Sequence, residues 1–223
     1  MRVRPFVVLA GMILAATAGA AAAQGVTAWS DAPTYAEAAV VYPAKAKAAG
    51  VAGGAKLTCT VSYSRALRNC EILNESPAGY RLGQAARDLA TRLKVARGAG
   101  VASNAEVEVD IAFPAQLAGH APYVAPDPVW MATPSAADFQ ATFPKAENGV
   151  NQVKVVLLCD VADGGALSGC GVESETPAGQ GYGAGALALA PKIRVGLLSA
   201  SGVPLVGAKV RVPVRYELTP VKP

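Results

Sequence analysis

An internal repeat limits the possible folds of this 223-residue chain more than any other sequence feature. The segment from Leu57 to Gly79, LTCTVSYSRALRNCEILNESPAG, returns from Leu157 to Gly179 as LLCDVADGGALSGCGVESETPAG. Both cysteines of the segment recur one hundred positions later, as the pairs Cys59 and Cys159, and Cys70 and Cys170. A fixed offset over so many positions indicates a duplication. We therefore expect two similar folding units.

The repeated segment has the pattern of a β-hairpin. Leu57, Cys59 and Val61 alternate with polar residues, which is typical of a half-buried strand. In the second copy Gly164-Gly165 suits a two-residue turn, whereas Ser64-Arg65 in the first copy predicts a looser loop. A turn centred there places the two cysteines of each copy opposite each other, with Cβ atoms about 4.5–5.5 Å apart.

A helix and a last strand follow each hairpin. Ser76-Pro77 and Thr176-Pro177 predict the start of the helix, since serine or threonine can cap it and proline suits its first turn. Apolar residues then recur at helical spacing, as Leu82, Ala86, Leu89 and Leu93, and as Tyr182, Ala186, Leu189 and Ile193. The last strands alternate Val107, Val109, Ile111 and Phe113, and Val210, Val212, Val214 and Tyr216.

With a short helix ahead of the hairpin, each copy is predicted to be an α+β unit, in which two helices pack on one face of a three-stranded antiparallel sheet. The predicted boundaries are residues 24–113 and 129–219 for the two units. Residues 114–128 are rich in proline and predict an extended linker. His120, the one histidine of the chain, lies in this linker, where it is expected to be solvated.

Residues 1–23 have the features of a cleavable signal peptide. Arg2 and Arg4 precede an apolar run, and Ala21-Ala22-Ala23 offers a cleavage site before Gln24. The alternative is an uncleaved inner-membrane anchor, because the run of about 18 apolar residues is just short of the roughly 20 that span a bilayer. We expect an exported, periplasmic protein.

The cysteines of an exported chain are expected to form disulfides. Four cysteines allow three pairings, and the repeat together with the hairpin register selects Cys59–Cys70 and Cys159–Cys170. The alternative is a zinc site, which would need closer ligand spacing and usually more histidines. No metal site is therefore predicted.

Composition and motifs argue against several other functions. Removal of residues 1–23 leaves 18 basic and 16 acidic residues without clustering, which disfavours nucleic-acid binding. The glycine-rich stretch from Gly179 to Ala186 resembles a dinucleotide-binding loop, but it follows a hairpin strand and no acidic residue lies at the required distance. Glu75 and Glu175 precede the two helices and are expected to stabilise their N-termini. No catalytic set can be assembled, so neither an enzyme nor a small-molecule cofactor is predicted.

The ordered motifs resemble the C-terminal domain of TonB, the energy-transducing protein of Gram-negative envelopes. Tyr42-Pro43-Ala44, Ser76-Pro77-Ala78-Gly79 and Ala85-Ala86 carry the resemblance in the first copy. Phe143-Pro144, Thr176 to Gly183, and Gly202-Val203-Pro204 carry it in the second. The resemblance implies two tandem TonB C-terminal-like domains.

It also implies a function. In that family a peptide segment of an outer-membrane transporter adds as an extra strand to the edge of the sheet, at its last strand. Carried over, the binding edges contain Val107, Val109, Ile111, Val210, Val212, Val214 and Tyr216. Pro213 departs from this expectation, because proline lacks the N–H that strand pairing needs.

Two further expectations concern partners. The resemblance implies an outer-membrane transporter or another envelope protein as the partner. TonB itself keeps an uncleaved anchor with a histidine, whereas the apolar N-terminal run of this chain has no histidine and is expected to be removed, so no energy coupling of its own is expected. The alternative is a structural, disulfide-stapled envelope protein that self-associates, for example as a homodimer, through its sheet edges.

Overall fold

The computed structural model describes residues 24–25, 28–119, 122–142 and 152–217, which form a mixed α+β structure. The predicted signal peptide, His120, Phe143-Pro144 and residues 218–219 lie outside the described residues. The α+β class predicted from the sequence is confirmed. In the part of the chain that is described, no helix is both long and apolar enough to cross a membrane.

The secondary structure elements of the two halves follow each other in nearly the same order. The first half contains β1 (Gln24–Gly25), β2 (Trp29–Asp31), α1 (Tyr35–Val41), α2 (Ala44–Ala49), β3 (Gly53–Val61), β4 (Leu67–Ser76), α3 (Leu82–Ala90), β5 (Lys94–Val95) and β6 (Glu106–Phe113). The second contains β7 (Val124–Ala125), β8 (Trp130–Ala132), α4 (Ala136–Thr142), β9 (Gln152–Val161), β10 (Leu167–Thr176), α5 (Tyr182–Leu189), β11 (Arg194–Val195) and β12 (Lys209–Glu217).

Two four-stranded sheets have the same strand order. The first sheet is ordered β1-β6-β3-β4 and the second β7-β12-β9-β10. Three strands of each sheet are antiparallel, as predicted, but the sequence did not predict the short fourth strand, β1 or β7, which pairs parallel to the last strand. β7 belongs to the segment that was predicted to be a linker. Two small ribbons, β2-β5 and β8-β11, complete the strand pairing.

The alternating strand residues and the helix residues meet in two apolar cores. All eight residues that the helical spacing selected are buried, as are the alternating residues of β6 and β12. α3 and α5 therefore pack on their sheets through the predicted faces. Full burial of each leucine or valine contributes about 1.5–3 kcal/mol to folding.

Both predicted disulfides are present. Cys59 bonds Cys70 and Cys159 bonds Cys170, with Cα–Cα distances of 4.1 and 4.0 Å. The pairing of the hairpins is identical in the two halves, since Val61 pairs with Leu67 and Val161 with Leu167.

The hairpin turns differ from the prediction. The second is a three-residue turn over Asp163–Gly165, closed by a hydrogen bond from Ala162 N–H to Ala166 O of 2.8 Å. A three-residue turn shifts the pairing of the two strands, and a bulge after Ser168 brings Cys159 and Cys170 opposite each other again. The predicted looser first loop is wrong as well, because Arg65 holds that turn by donating hydrogen bonds to the carbonyls of Val95, Ala96 and Val101.

The predicted helix start at Ser76-Pro77 and Thr176-Pro177 is wrong. Ser76 and Thr176 end β4 and β10, because they pair with the neighbouring strand, and the helices begin six residues later at Leu82 and Tyr182. The helix N-termini are instead capped by a glutamate from the end of the strand. Glu75 accepts a hydrogen bond from Gly83 N–H (3.1 Å), which confirms the predicted role of this side chain.

Glu175 caps the second helix more extensively. Its carboxylate accepts hydrogen bonds from the N–H groups of Gln180, Tyr182 and Gly183 at 3.0–3.2 Å. The glycine-rich stretch therefore brings backbone N–H groups close to this carboxylate.

The short helices before the two hairpins, α1 and α4, are capped by the same hydrogen bonds. Thr34 and Glu37 form a capping box at α1, in which each side chain bonds the backbone N–H of the other. Ser135 and Asp138 make the same reciprocal bonds at α4. Each acid also pairs with a base that follows the long helix, Glu37 with Arg92 and Asp138 with Lys192. These hydrogen bonds and ion pairs therefore occur at corresponding positions of the two halves.

Candidate functional site

The last strands, β6 and β12, carry the predicted binding residues. The side chains of Val107, Val109, Ile111, Val210, Val212, Val214 and Tyr216 are all buried in the two cores. Backbone groups of alternate residues face opposite sides of a strand, so the groups that face away from the sheet belong to the residues between them. Two bonds identify these residues: Ala112 N–H donates to Gly202 O and Lys209 N–H to Tyr123 O.

The outward edge of β6 is occupied by segments of the chain itself. At its beginning, Gln24 and Gly25 of β1 pair with Val107 and Glu108. Near its end, Ala112 N–H donates a 3.1 Å hydrogen bond to the carbonyl of Gly202 in the second half. Neither contact is predicted by the sequence pattern.

The segment that contacts β6, residues 197–206, is named the capping loop. Leu198 and Pro204 form an isolated bridge, and Ser199 N–H donates to Val203 O at 2.9 Å. Gly202 has φ +89°, a conformation that glycine adopts at little cost. Asp127 accepts a hydrogen bond from Ser201 N–H at 2.7 Å and so holds the loop near β7. The loop is therefore an ordered, internally bonded structure.

The capping loop joins the two halves. Its Leu198 is buried in the first core, whereas Val203 and Leu205 are buried in the second. Tyr35 N–H, in the first turn of α1, donates to Val206 O at 2.8 Å. Further contacts between the halves therefore accompany the bond at Ala112.

Two tyrosines extend this contact. The rings of Tyr35 and Tyr123 stack with centroids 5.3 Å apart and an angle of 2° between their planes. Burial raises the pKa of the Tyr35 hydroxyl to about 12, and the neighbouring Tyr123 adds to this shift. Both effects disfavour ionisation of the Tyr35 hydroxyl.

The edge of β12 is only partly covered. Val124 and Ala125 of β7 pair with Lys209 and Val210, at the beginning of the strand. Among the described residues, no further strand pairs with the outward side of β12 between Arg211 and Glu217. We call this stretch the open edge. Its outward residues include Arg211, Pro213 and Arg215, and Pro213 can offer only its carbonyl.

The charges on the open edge are unequally compensated. Arg211 donates two hydrogen bonds, of 2.7 and 2.9 Å, to Glu173 on β10, and the pKa of Glu173 is lowered by the Arg211 guanidinium. Arg215 forms no ion pair with a described residue. Of these two arginines, Arg215 is therefore the one whose charge is not paired with a described residue.

A largely apolar groove of about 440 Å³ runs along the open edge. Its walls include Trp130, Pro134, Phe139, Ile193, Pro213 and Arg215. Trp130 has 40% of its surface exposed, although it is a large apolar residue. An exposed aromatic beside unpaired backbone groups is typical of a protein-binding surface.

The opposite edges of the sheets, formed by β4 and β10, are less regular. Both strands contain register shifts, and Asn69 and Gly169 have positive φ at the same place in each. Bulges of this kind hinder pairing with another strand. Ile72, Leu73 and Val172 are nevertheless exposed by 40–52%.

One comparison with known proteins gave a match. Residues 38–114 match the family described as Gram-negative bacterial TonB protein C-terminal. This match supports the TonB C-terminal family for the first copy, from α1 to the end of β6. No match was found among curated proteins or solved structures.

No group of three or more histidine, cysteine, aspartate or glutamate side chains could hold a metal ion among the described residues of either half.

Proposed function

We propose that this chain is a periplasmic TonB-like binding protein of envelope transport, and that it binds a peptide segment of an outer-membrane transporter at the open edge of β12. On this proposal it has neither catalytic activity nor energy coupling of its own. The family match of residues 38–114 supports a role at the envelope. Unpaired backbone groups at a sheet edge give a peptide both affinity and direction.

The second copy is proposed as the binding copy because the outward edge of its last strand is less covered than that of the first copy. β6 is covered at Val107, Glu108 and Ala112 by segments of the same chain. β12 is covered at Lys209 and Val210, and its remaining outward groups adjoin the apolar groove. We therefore assign binding to the second copy and a supporting role to the first.

The proposal is tested by site-specific photocrosslinking in intact Gram-negative cells. A photoreactive phenylalanine analogue replaces Arg215 in one strain and Glu71, on the exposed face of β4, in another. We expect Arg215 to capture an outer-membrane protein that Glu71 does not capture. Equal capture at both positions, or no outer-membrane protein at Arg215, would reject the proposal.

A second candidate function is self-association of a structural envelope protein. The exposed Ile72, Leu73 and Val172 on β4 and β10 favour it, because exposed apolar residues on an edge strand promote pairing with a second copy. Sedimentation velocity at rising protein concentration separates the two functions. Dimers that disappear in the double variant Ile72→Lys, Leu73→Lys would favour self-association.

A further inference from the structure

The contact between the capping loop and β6 provides a template for the ligand of the open edge. Strand pairing makes the comparison residue by residue, since Cys59 pairs with Val107 and Cys159 with Val210. Counting from these pairs, Asp110 corresponds to Pro213 and Ala112 to Arg215. The residues of β6 that the capping loop contacts therefore correspond to residues of the open edge on β12.

The capping loop touches β6 at two backbone groups. Gly202 O accepts the hydrogen bond from Ala112 N–H. The Cα atom of Gly202 lies against the carbonyl of Asp110, so closely that a Cβ atom there would overlap this oxygen. This contact therefore requires glycine, and it needs no N–H at position 110.

The same two groups are available on β12. Arg215 has an N–H in the place of that of Ala112, and Pro213 has a carbonyl in the place of that of Asp110. A continuous added strand would also need an N–H at position 213, which proline lacks. The proline thus disfavours an added strand at this point but leaves the loop contact intact.

The groove suits the side chains of such a loop. On the first sheet, Leu198 of the capping loop is buried among the apolar residues beside β6. On the second sheet, a groove walled by Trp130, Pro134 and Phe139 adjoins Pro213 and Arg215 of the open edge. An aliphatic side chain near the glycine would therefore remove exposed apolar surface on both partners.

We infer that the open edge binds a loop of another protein in which a glycine, flanked by aliphatic residues, faces Pro213 and accepts a hydrogen bond from Arg215 N–H. The inference rests on the proposed function only in that both concern the same edge. It specifies the chemistry of the ligand, a glycine-bearing apolar loop, in place of an uninterrupted strand.

The probe for this inference is a cyclised peptide with the sequence of the capping loop, LLSASGVPLV, and its matched control replaces the glycine by valine. Each is titrated into the isotope-labelled full chain and followed by NMR. We expect the glycine peptide to shift the amide signal of Arg215 and the indole signal of Trp130, and the valine peptide to bind at least tenfold more weakly. Equal binding of both peptides, absence of binding, or shifts confined to Ala112 would overturn the inference.

Two variants isolate the backbone N–H. Arg215→Ala retains this group and Arg215→Pro removes it, and proline is compatible with the outward side of this strand, as Pro213 shows. Binding should survive in R215A and be lost in R215P, with unchanged circular dichroism in both. Loss in both variants would mean that the side chain binds the peptide, which contradicts the inference. The peptide result is independent of the crosslinking result, so either proposal can fail alone.

Discussion

At the scale of single residues, two glutamates determine where the long helices begin. Glu75 and Glu175 are the last residues but one of β4 and β10, yet they accept hydrogen bonds from N–H groups of helices that begin seven residues later. Without these carboxylates, the first N–H groups of each helix would lose acceptors that the strands provide. The sequence predicted the role of the two acids but not the helix start.

Replacing these acids should destabilise the chain unequally. Glu175→Ala removes the acceptor of three N–H groups and Glu75→Ala the acceptor of one, so we expect losses in the free energy of unfolding of about 2 and about 1 kcal/mol, respectively. Urea unfolding measures both. Glu71→Ala, on an exposed part of the same strand as Glu75, is the control and should change stability little. A larger loss in Glu75→Ala than in Glu175→Ala would contradict this explanation.

The capping box of α1 predicts a dependence on pH. The hydrogen bond from Thr34 N–H lowers the pKa of Glu37 below its ordinary value of 4.5, and Arg92 contributes in the same direction. A lowered pKa stabilises the fold above about pH 4.5, and this contribution disappears as the pH falls through the pKa of the folded state.

Glu37→Gln should therefore lower the free energy of unfolding at pH 7 and have a smaller effect at pH 3, because the contribution of the ionised carboxylate is lost as the pH falls through the pKa of Glu37 in the folded state. Urea unfolding of both proteins at the two pH values tests this. An equal difference at pH 3 and pH 7 would show that the variant loses packing and not charge.

At the scale of secondary structure elements, the hairpins are held by disulfides of equal span. Each joins cysteines that are 11 residues apart. Restricting an unfolded loop of this length contributes about 3 kcal/mol. We expect Cys159→Ser with Cys170→Ser, and separately Cys59→Ser with Cys70→Ser, to lower the free energy of unfolding by about this amount in urea titrations. A loss well below 1 kcal/mol in either pair would show that the native hairpin does not need its crosslink.

The elements that the sequence predicted are those with a local pattern. The spacing of Leu82 and Leu89 identifies a helix face, and the alternation along β6 identifies a buried strand, because each pattern reports burial directly. The helix start was mispredicted at Ser76 because pairing with Gly54 outweighs its capping tendency. β1 and β7 have two residues each, too few to show any alternation.

The candidate site was less predictable than the fold. The residues that the sequence pattern selected on the last strands are the buried ones, since alternation reveals the core and not the free backbone groups. The capping loop gave one signal: the offset between the copies is 100 residues at Leu89 and Leu189 but 103 at Val107 and Val210, so the second copy has an insertion in this interval. Its contact with Ala112 depends on how the two halves are placed, which no local pattern encodes.

At the scale of the whole molecule, a glycine maintains the contact between the halves. Gly202 and Gly207 both have positive φ, +89° and +84°, but only Gly202 lies against the other half, whereas a Cβ atom at Gly207 would meet no atom within 4 Å. Alanine at either position carries a similar backbone cost of about 1 kcal/mol. The two substitutions therefore form a matched pair.

Gly202→Ala should detach the capping loop from β6, and Gly207→Ala should not. Amide hydrogen exchange of Ala112 measures the difference, because its N–H bonds Gly202 O. We expect exchange at Ala112 to accelerate at least tenfold more in G202A than in G207A. Similar exchange in the two variants would mean that the loop does not protect β6.

The covered edge of β6 also has a consequence for valency. A chain with two equal TonB-like halves could hold two partner molecules at once, and the second attachment would gain from the high effective concentration that the first creates. Here one edge is already engaged within the molecule. On the proposed function, the chain would then bind one partner molecule through its single open edge and would not bridge two.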